Sequence, residues 1–260
     1  MKKYFNNALL FTMVLLMIPS CKDDVLGPND LGGNTNLELT QVGGDFDTYF
    51  SAEPYNPIFN NLKDSVVITR NNNGIVTFHA QIKFDSNFVR GLDTALGISA
   101  LPYSAKLALV DTYTKRFGAI LDTTNKKDMK LVVDIKTKIT SEGIQEFITS
   151  KGDESKPFTI VKYAANIGDK YEFTNSEGVK ITREVKYKST TDDYPIVFWL
   201  IKVTKVEETQ GDTFAQKITQ EDVFVQKMTY ITNHKFGLVG VVVETKNGKI
   251  FKLGIVPPNM

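Results

Sequence analysis

The sequence predicts a mostly-β protein, with antiparallel sheets built from hairpins in a sandwich-like arrangement and one or two short helices. Three observations support this prediction. Apolar and polar residues alternate at period two in several segments, turn-forming residues separate those segments, and stretches with helical spacing are few. Hydrophobic residues make up 42% of the chain, which supplies enough apolar surface for a buried core.

The clearest predicted strand is 75–84, IVTFHAQIKF, in which every second side chain is apolar. A strand with this alternation buries one face and exposes the other. The segment SVVITR precedes it, and the intervening NNNG predicts a hairpin in which Gly74 adopts a positive φ. The register stays open, because placing Val66 and Ile68 beside the apolar residues of this strand requires a three-residue loop or a bulge.

Two further segments repeat the pattern. Residues 131–140, LVVDIKTKIT, place their apolar side chains on one side and Asp134, Lys136 and Lys138 on the other. Residues 170–188 predict a second hairpin, with its turn around Gly178.

A third hairpin is predicted for 240–256, where Asn247-Gly248 is the strongest short hairpin signal. A two-residue loop there would place Val242 opposite Leu253 and Glu244 opposite Phe251.

The most apolar stretch is IVFWLIKV, residues 196–203, and its uniform hydrophobicity predicts a central strand with Trp199 in the core. Helical spacing is present in 103–118 and in 141–151, the second beginning after Ser141 as a possible N-cap.

The first 20 residues have the pattern of a secretory signal peptide. Lys2 and Lys3 precede an uncharged run from Ala8 to Ile18, and a small residue, Ser20, ends the segment. The alternative is a transmembrane helix, but that needs about 20 apolar residues, and a proline and three charges follow this shorter run.

The only cysteine of the chain, Cys21, follows directly. The sequence IPSC resembles a bacterial lipobox, with Ile18 three residues before the cysteine and Ser20 immediately before it; Pro19 departs from the pattern. The resemblance implies cleavage before Cys21, attachment of a diacylglycerol to its sulfur, and acylation of the new amino terminus by a chain such as palmitate. The alternative is an ordinary signal peptide followed by an incidental cysteine, which would leave an exported lone thiol.

The next three residues, Lys22-Asp23-Asp24, resemble the export tag of surface-exposed outer-membrane lipoproteins of the Bacteroidetes. This resemblance, which covers the leader and the tag alone, implies a lipid-anchored protein on the outer membrane that faces the cell exterior. The alternative is a solvated charged tether.

Composition predicts the domain organisation. Residues 1–20 are the signal peptide, and 21–44, which contain five glycines, read as a lipidated flexible tether. Two β-rich domains follow, 45–152 and 157–260, on either side of the polar stretch SKGDESKPF; one continuous body is the alternative.

Charge and motifs exclude several function classes. Removing the signal peptide lowers the 31 basic residues to 29, against 30 acidic residues, and no basic patch suggests nucleic acid. The sequence lacks G-x-S-x-G, a P-loop and a dinucleotide fingerprint, so no cofactor is expected.

Metal binding also has little support from the residue types. The two histidines, His79 and His234, and the lack of a second thiol argue against zinc. Asp85 and Asn87 begin a pattern like a calcium loop, but the third oxygen ligand is missing, so a turn is predicted.

Three residues are candidates for a ligand site. Asp192 and Asp193 are adjacent in a predicted loop, where paired carboxylates could act in acid–base chemistry or bind a hard cation, or could serve only the turn. Arg183 interrupts an apolar row, and a charge there is costly unless it is paired. It either reaches water at a strand edge or bulge, or meets a partner carboxylate or a ligand.

These observations predict a lipid-anchored cell-surface protein, non-enzymatic, whose body binds a glycan or a protein or serves as an assembly part. One alternative is a surface hydrolase acting on polysaccharide, with Asp192 and Asp193 supplying the chemistry. The other is an accessory lipoprotein of an outer-membrane uptake complex.

Overall fold

A computed structural model describes residues 31–58, 62–96, 101–115, 118–174, 178–210, 225–246 and 248–258. Within these ranges the chain forms one 3-10 turn, two α-helices and fifteen strands. The turn is Glu38–Thr40, and the helices are α1 (Ser86–Leu96) and α2 (Tyr103–Lys115). The strands are β1 (Asp45–Glu53), β2 (Lys63–Asn72), β3 (Ile75–Phe84), β4 (Ile120–Asp122), β5 (Met129–Thr140), β6 (Gly143–Glu146), β7 (Phe158–Lys162), β8 (Lys170–Thr174), β9 (Lys180–Lys188), β10 (Tyr194–Ile196), β11 (Trp199–Ile201), β12 (Thr204–Gln210), β13 (Val225–Asn233), β14 (Gly237–Thr245) and β15 (Ile250–Val256).

Thirteen of these strands form one antiparallel sheet. Twelve follow the order β7-β6-β5-β3-β2-β1-β15-β14-β13-β12-β9-β8, β4 pairs with β5, and β10 and β11 form a separate two-stranded hairpin. The predicted mostly-β, antiparallel class with one or two short helices is confirmed, and the structure has two. The sandwich-like packing takes the form of one nearly closed sheet.

Side chains join the two ends of this sheet. The ring of Phe158 on β7 stacks on Phe173 of β8, with centroids 5.0 Å apart. The backbone N–H of Lys162 donates to the Tyr171 hydroxyl at 3.0 Å. These contacts enclose the main core, in which Phe46, Ile68, Val76, Phe158, Ile181, Val185 and Val206 are buried.

The strand at 75–84 and the hairpin at 170–188 are confirmed, as β3 and as β8 with β9. The open register between β2 and β3 is settled by a bulge: Ile68 pairs with Phe78, and the register shifts between Ile68 and Arg70. The turn has positive φ at both Asn73 and Gly74, as a two-residue hairpin turn requires.

The predicted register between β14 and β15 is wrong by one residue. Val242 pairs with Lys252 and Glu244 with Ile250. The backbone N–H of Thr245 donates to the carbonyl of Lys249 at 2.9 Å, which closes a three-residue loop with Gly248 at φ 78°. One extra loop residue moves each side chain to the opposite face. Asn247 lies outside the described residues.

The helix predicted for 141–151 is also wrong, because β6 occupies Gly143–Glu146 and each of its four residues is buried. A Cβ on Gly143 would lie 2.1 Å from the Val161 carbonyl oxygen of the neighbouring strand. Close pairing with β7 therefore overrides the helical spacing of the apolar residues.

The helix predicted for 103–118 is confirmed as α2. The sequence pattern does not predict helix α1. This helix begins after Asp85, whose Oδ1 accepts the backbone N–H groups of Asn87 at 2.8 Å and Phe88 at 3.1 Å. The carboxylate that begins a calcium-like pattern in the sequence therefore acts as a helix N-cap.

The described part of the predicted tether packs on the sheet. Leu39 and Thr40 are buried, and the backbone N–H of Asn34 donates to Ser141 Oγ at 2.9 Å. The polar stretch 150–158 links β6 to β7, which are neighbours, and β1 pairs with β15, so the sheet runs through both predicted domain ranges. The predicted signal peptide, Cys21 and the Lys22-Asp23-Asp24 tag lie outside the described residues.

In the part of the chain that the structure describes, neither helix has the length and hydrophobicity needed to span a bilayer.

Candidate functional site

Arg183 on β9 points into the interior and is 1% exposed. Its Nε donates to Glu208 Oε2 at 2.8 Å, and its Nη2 donates to Glu146 Oε1 at 3.0 Å and to the Tyr230 hydroxyl at 3.2 Å. Of the two possibilities left open by the sequence, the structure shows partner carboxylates and no route to water at a strand edge.

The remaining donors of Arg183 bind main-chain carbonyls of β7. Nη1 lies 3.1 Å from the Thr159 oxygen and 3.4 Å from the Phe158 oxygen. The guanidinium also lies over the Phe158 ring, 3.8 Å from its centroid. One side chain thus connects β9, β12 and β13 with β6 and β7.

The electrostatics keep Arg183 charged. Burial opposes the charge, but the carboxylates of Glu208 and Glu146 outweigh burial and raise the pKa of Arg183. Burial also raises the pKa of Tyr230, so its hydroxyl stays protonated and donates to Glu208 at 3.0 Å.

Glu146 has further donors of its own. The backbone N–H and the hydroxyl of Thr149 donate to its two carboxylate oxygens at 2.9 and 2.5 Å. The Arg183 network, which consists of Arg183, Glu146, Glu208 and Tyr230, places two buried carboxylates around one guanidinium and joins strands across the closed interior.

Asp192 and Asp193 are both exposed, so the structure does not bring them into one site with Arg183. Asp193 accepts a hydrogen bond from Ser189 Oγ at 2.6 Å and one from the Tyr187 hydroxyl. These bonds, from Ser189 first and then Tyr187, lower the pKa of Asp193. Asp193 therefore stabilises the turn that leads into β10.

The β10–β11 hairpin lies outside the main sheet and is anchored at its base. Ile196 and Ile201 are buried in a small core with Val203, Ile231 and Val239. The turn connects Ile196 to Trp199, which pair with each other, and Val197 in the turn has φ 50°. A β-branched residue rarely adopts that conformation.

The tip of this hairpin, Val197–Leu200, exposes four consecutive apolar side chains. Val197 is 57% exposed, Phe198 94%, Trp199 62% and Leu200 61%. The central strand predicted for 196–203, with Trp199 in the core, is therefore wrong. The apolar run folds back on itself, and only Ile196, Ile201 and Val203 face the sheet.

Basic residues lie at the base of the hairpin. The Asn233 side chain donates to the Lys202 carbonyl at 2.7 Å and accepts the backbone N–H of Lys235 at 2.7 Å, so the main chain at Lys202 and at Lys235, both exposed, is held close together. The ammonium of Lys205 lies 5.0 Å from the centroid of Tyr187. Asp192 and Asp193, which are also exposed, precede the hairpin in the chain.

A second candidate is a cleft of about 190 Å³ near the end of β1. Its lining includes Pro54, Tyr55, Pro57, Lys249 and Phe251. Tyr55 is exposed, and an exposed aromatic ring is a group on which a sugar could stack.

Among the residues that the structure describes, no three His, Cys, Asp or Glu side chains are grouped as metal ligands would be. His79 bonds Asp134 through Nδ1 at 2.8 Å, on the polar face predicted for its strand. His234 is exposed in the turn before β14.

No protein-family model matches the chain, and no curated protein matches it. Among solved structures the chain is similar to one from Bacteroides fragilis, described as a candidate exported protein with a YMCC-like fold. The identity is 8% and the TM-score 0.38, over 84% of this chain and 95% of that chain.

Proposed function

We propose that this chain is a lipid-anchored cell-surface protein that binds a partner without catalysis, through the Val197–Leu200 tip. The observation that carries the proposal is a hairpin with a buried base and a tip whose central residue, Phe198, is 94% exposed. Exposed apolar patches of this kind mark interaction sites in soluble bodies.

The leader supports the location. A basic segment, an apolar run and the IPSC sequence lead to Cys21, the only cysteine. Two or three acyl chains on one residue hold a protein on a membrane, because each buried methylene contributes about 0.8 kcal/mol. Lys22-Asp23-Asp24 would direct the anchored body to the outer face of the outer membrane.

The surface-hydrolase alternative has less support from the geometry. Asp193 is engaged by Ser189 and Tyr187, and Asp192 lies exposed beside it on the turn. If catalysis occurred there, alanine at both positions would abolish product release from polysaccharide, whereas a binding protein would keep its ligand.

Cell fractionation and protease treatment test the location. We expect the wild-type chain in the outer-membrane fraction and accessible to protease on whole cells. Cys21→Ser should release the chain from that membrane anchor, and alanine at Lys22, Asp23 and Asp24 should keep the lipid but turn the body inward. A wild-type body that survives protease on intact cells would contradict surface display.

A further inference from the structure

The Val197–Leu200 tip has the composition of a membrane-interface contact. Phe198, Trp199 and Leu200 are the residue types that partition into the boundary between headgroups and acyl chains, and tryptophan is enriched there. Their only polar side-chain atom is the indole nitrogen of Trp199, which can bond to headgroups while its ring stays in the apolar layer.

The residues in the turn of this hairpin are not the ones that make such a turn most stable. Two-residue hairpin turns are most stable with Gly, Asn or Asp at positions of positive φ. This chain instead places Val197 there, at φ 50°. The strain persists because the buried Ile196 and Ile201 hold the hairpin from below.

The charges near the base fit an anionic headgroup layer. Lys202 follows Phe198 by four residues, which at about 3.3 Å per residue places it roughly 13 Å from the tip. The backbone of Lys235 is held beside that of Lys202 through Asn233. A tip inserted to about 5–10 Å would bring these ammonium groups to the level of the phosphates. Asp192 and Asp193 oppose this attraction, and the hydrogen bonds that Asp193 accepts from Ser189 and Tyr187 keep its carboxylate charged.

The small area of the Val197–Leu200 tip favours a lipid surface over a protein partner. A stable protein–protein interface buries about 800 Å² on each side, whereas four side chains at one protruding point offer only part of that area. A lipid surface needs no shaped counterpart. An anchored body also stays close to the bilayer, so a small contact is sufficient because the effective concentration is high.

We infer that the Val197–Leu200 tip inserts into the interface of a phospholipid bilayer and orients the body on the membrane. This inference rests on the proposed function, since the lipid on Cys21 supplies the proximity. The tip then acts as a second, shallow attachment that fixes one face of the sheet toward the lipid.

Trp199 is the only tryptophan of the chain and reports directly on the tip. The full chain is expressed with its own leader, purified from membranes and added to excess vesicles of phosphatidylcholine with a minority of phosphatidylglycerol. We expect the emission maximum of Trp199 to shift to shorter wavelength on these vesicles. We also expect brominated acyl chains to reduce its emission intensity about twofold, because the indole lies near the acyl boundary.

Variants separate the tip from the rest of the surface. Phe198→Ser combined with Leu200→Ser keeps the reporter and should abolish the bromine quenching. Ile167→Ser removes another exposed apolar side chain, far in sequence from the tip, and should leave the quenching unchanged. Lys202→Glu should weaken the quenching on phosphatidylglycerol-containing vesicles and not on pure phosphatidylcholine.

Vesicle flotation distinguishes the two proposals. A chain that floats while Trp199 stays unquenched by bromine would overturn tip insertion and leave the lipid anchor intact. A chain with a bare Cys21 whose Trp199 is still quenched would support the tip and contradict the anchor. A third outcome would also overturn tip insertion. If rising protein concentration in lipid-free buffer shielded Trp199 from acrylamide, and brominated vesicles left Trp199 unquenched, the tip would be a contact between protein copies.

Discussion

The Nη2 atom of Arg183 lies 3.0 Å from Oε1 of Glu146, although their strands, β9 and β6, are each second from opposite ends of the twelve-strand order. The pair therefore links the two ends of the sheet across the closed interior. Glu208 and Tyr230 complete the network from β12 and β13.

Removing the guanidinium should destabilise the fold strongly. Arg183→Met removes the guanidinium that pairs with the buried Glu146 and Glu208, and we expect a loss of about 3–5 kcal/mol in the free energy of unfolding. Urea unfolding measures it. Lys180→Met, at an exposed position of the same strand, is the matched control and should change stability by less than about 0.5 kcal/mol. Equal effects for the two variants would contradict a closing role for Arg183.

Neutralising the carboxylates should restore part of that loss. Arg183→Met combined with Glu146→Gln and Glu208→Gln removes the two carboxylate charges together with the guanidinium, and replacing a whole buried ionic group is often nearly neutral. We expect the triple variant to recover about 2 kcal/mol relative to Arg183→Met, measured by the same urea titration. A triple variant less stable than the single one would show that the carboxylates stabilise the fold through contacts other than Arg183.

Asp64 on β2 should make stability depend on pH. Burial, followed by the charges of Asp47 and Asp45, raises the pKa of Asp64, and its buried Oδ2 has no hydrogen-bond partner among the residues that the structure describes. Because the pKa of Asp64 is higher in the folded state than its unfolded-state value near 3.8, the contribution of Asp64 to stability is fully present below pH 3.8. That contribution is lost as the pH rises through the folded-state pKa.

Asp64→Asn should therefore raise the unfolding free energy at pH 7 by about 0.5 kcal/mol, a small gain because the carboxylate is partly solvated. The gain should vanish below pH 3.8, where the acid is neutral in both states. Thermal unfolding of both proteins across this range measures it, with the exposed Asp192→Asn as control. A gain that stayed constant down to acid pH would exclude the titration of Asp64 as its cause.

The hairpin base and its tip should respond differently to truncation. Ile196→Ala creates a cavity in a buried cluster and should cost about 2–5 kcal/mol. Phe198→Ala removes a side chain that contacts mainly solvent and should change stability by about 0.5 kcal/mol or less. Differential scanning calorimetry compares the two; a large loss for Phe198→Ala would mean that the tip packs against the body.

The sequence predicts those features of the fold that depend on local alternation. The strand 75–84 has a strict period of two and a Gly74 turn, and the structure contains it with those bounds. The error between β14 and β15 arises because loop length, and not the hydrophobic pattern, sets the register there.

Long-range and exposed features were harder to predict. The sequence shows Arg183 as a charge in an apolar row, but Glu146 is 37 residues away in a segment with helical spacing, so the sequence does not predict their pairing. The sequence does not reveal the tip, because its turn, Val197-Phe198, contains no Gly, Asn or Asp. An apolar run without alternation is consistent with a buried strand as much as with an exposed contact.

Mass spectrometry of the amino-terminal peptide, from protein extracted from the membranes of its own organism, tests the proposed anchoring most directly. We predict that the mature chain begins at Cys21 and carries a diacylglycerol on the sulfur and an acyl chain on the amino group. A peptide with an unmodified Cys21 thiol would contradict the lipid anchor and, with it, the proposed attachment of this body to the cell surface.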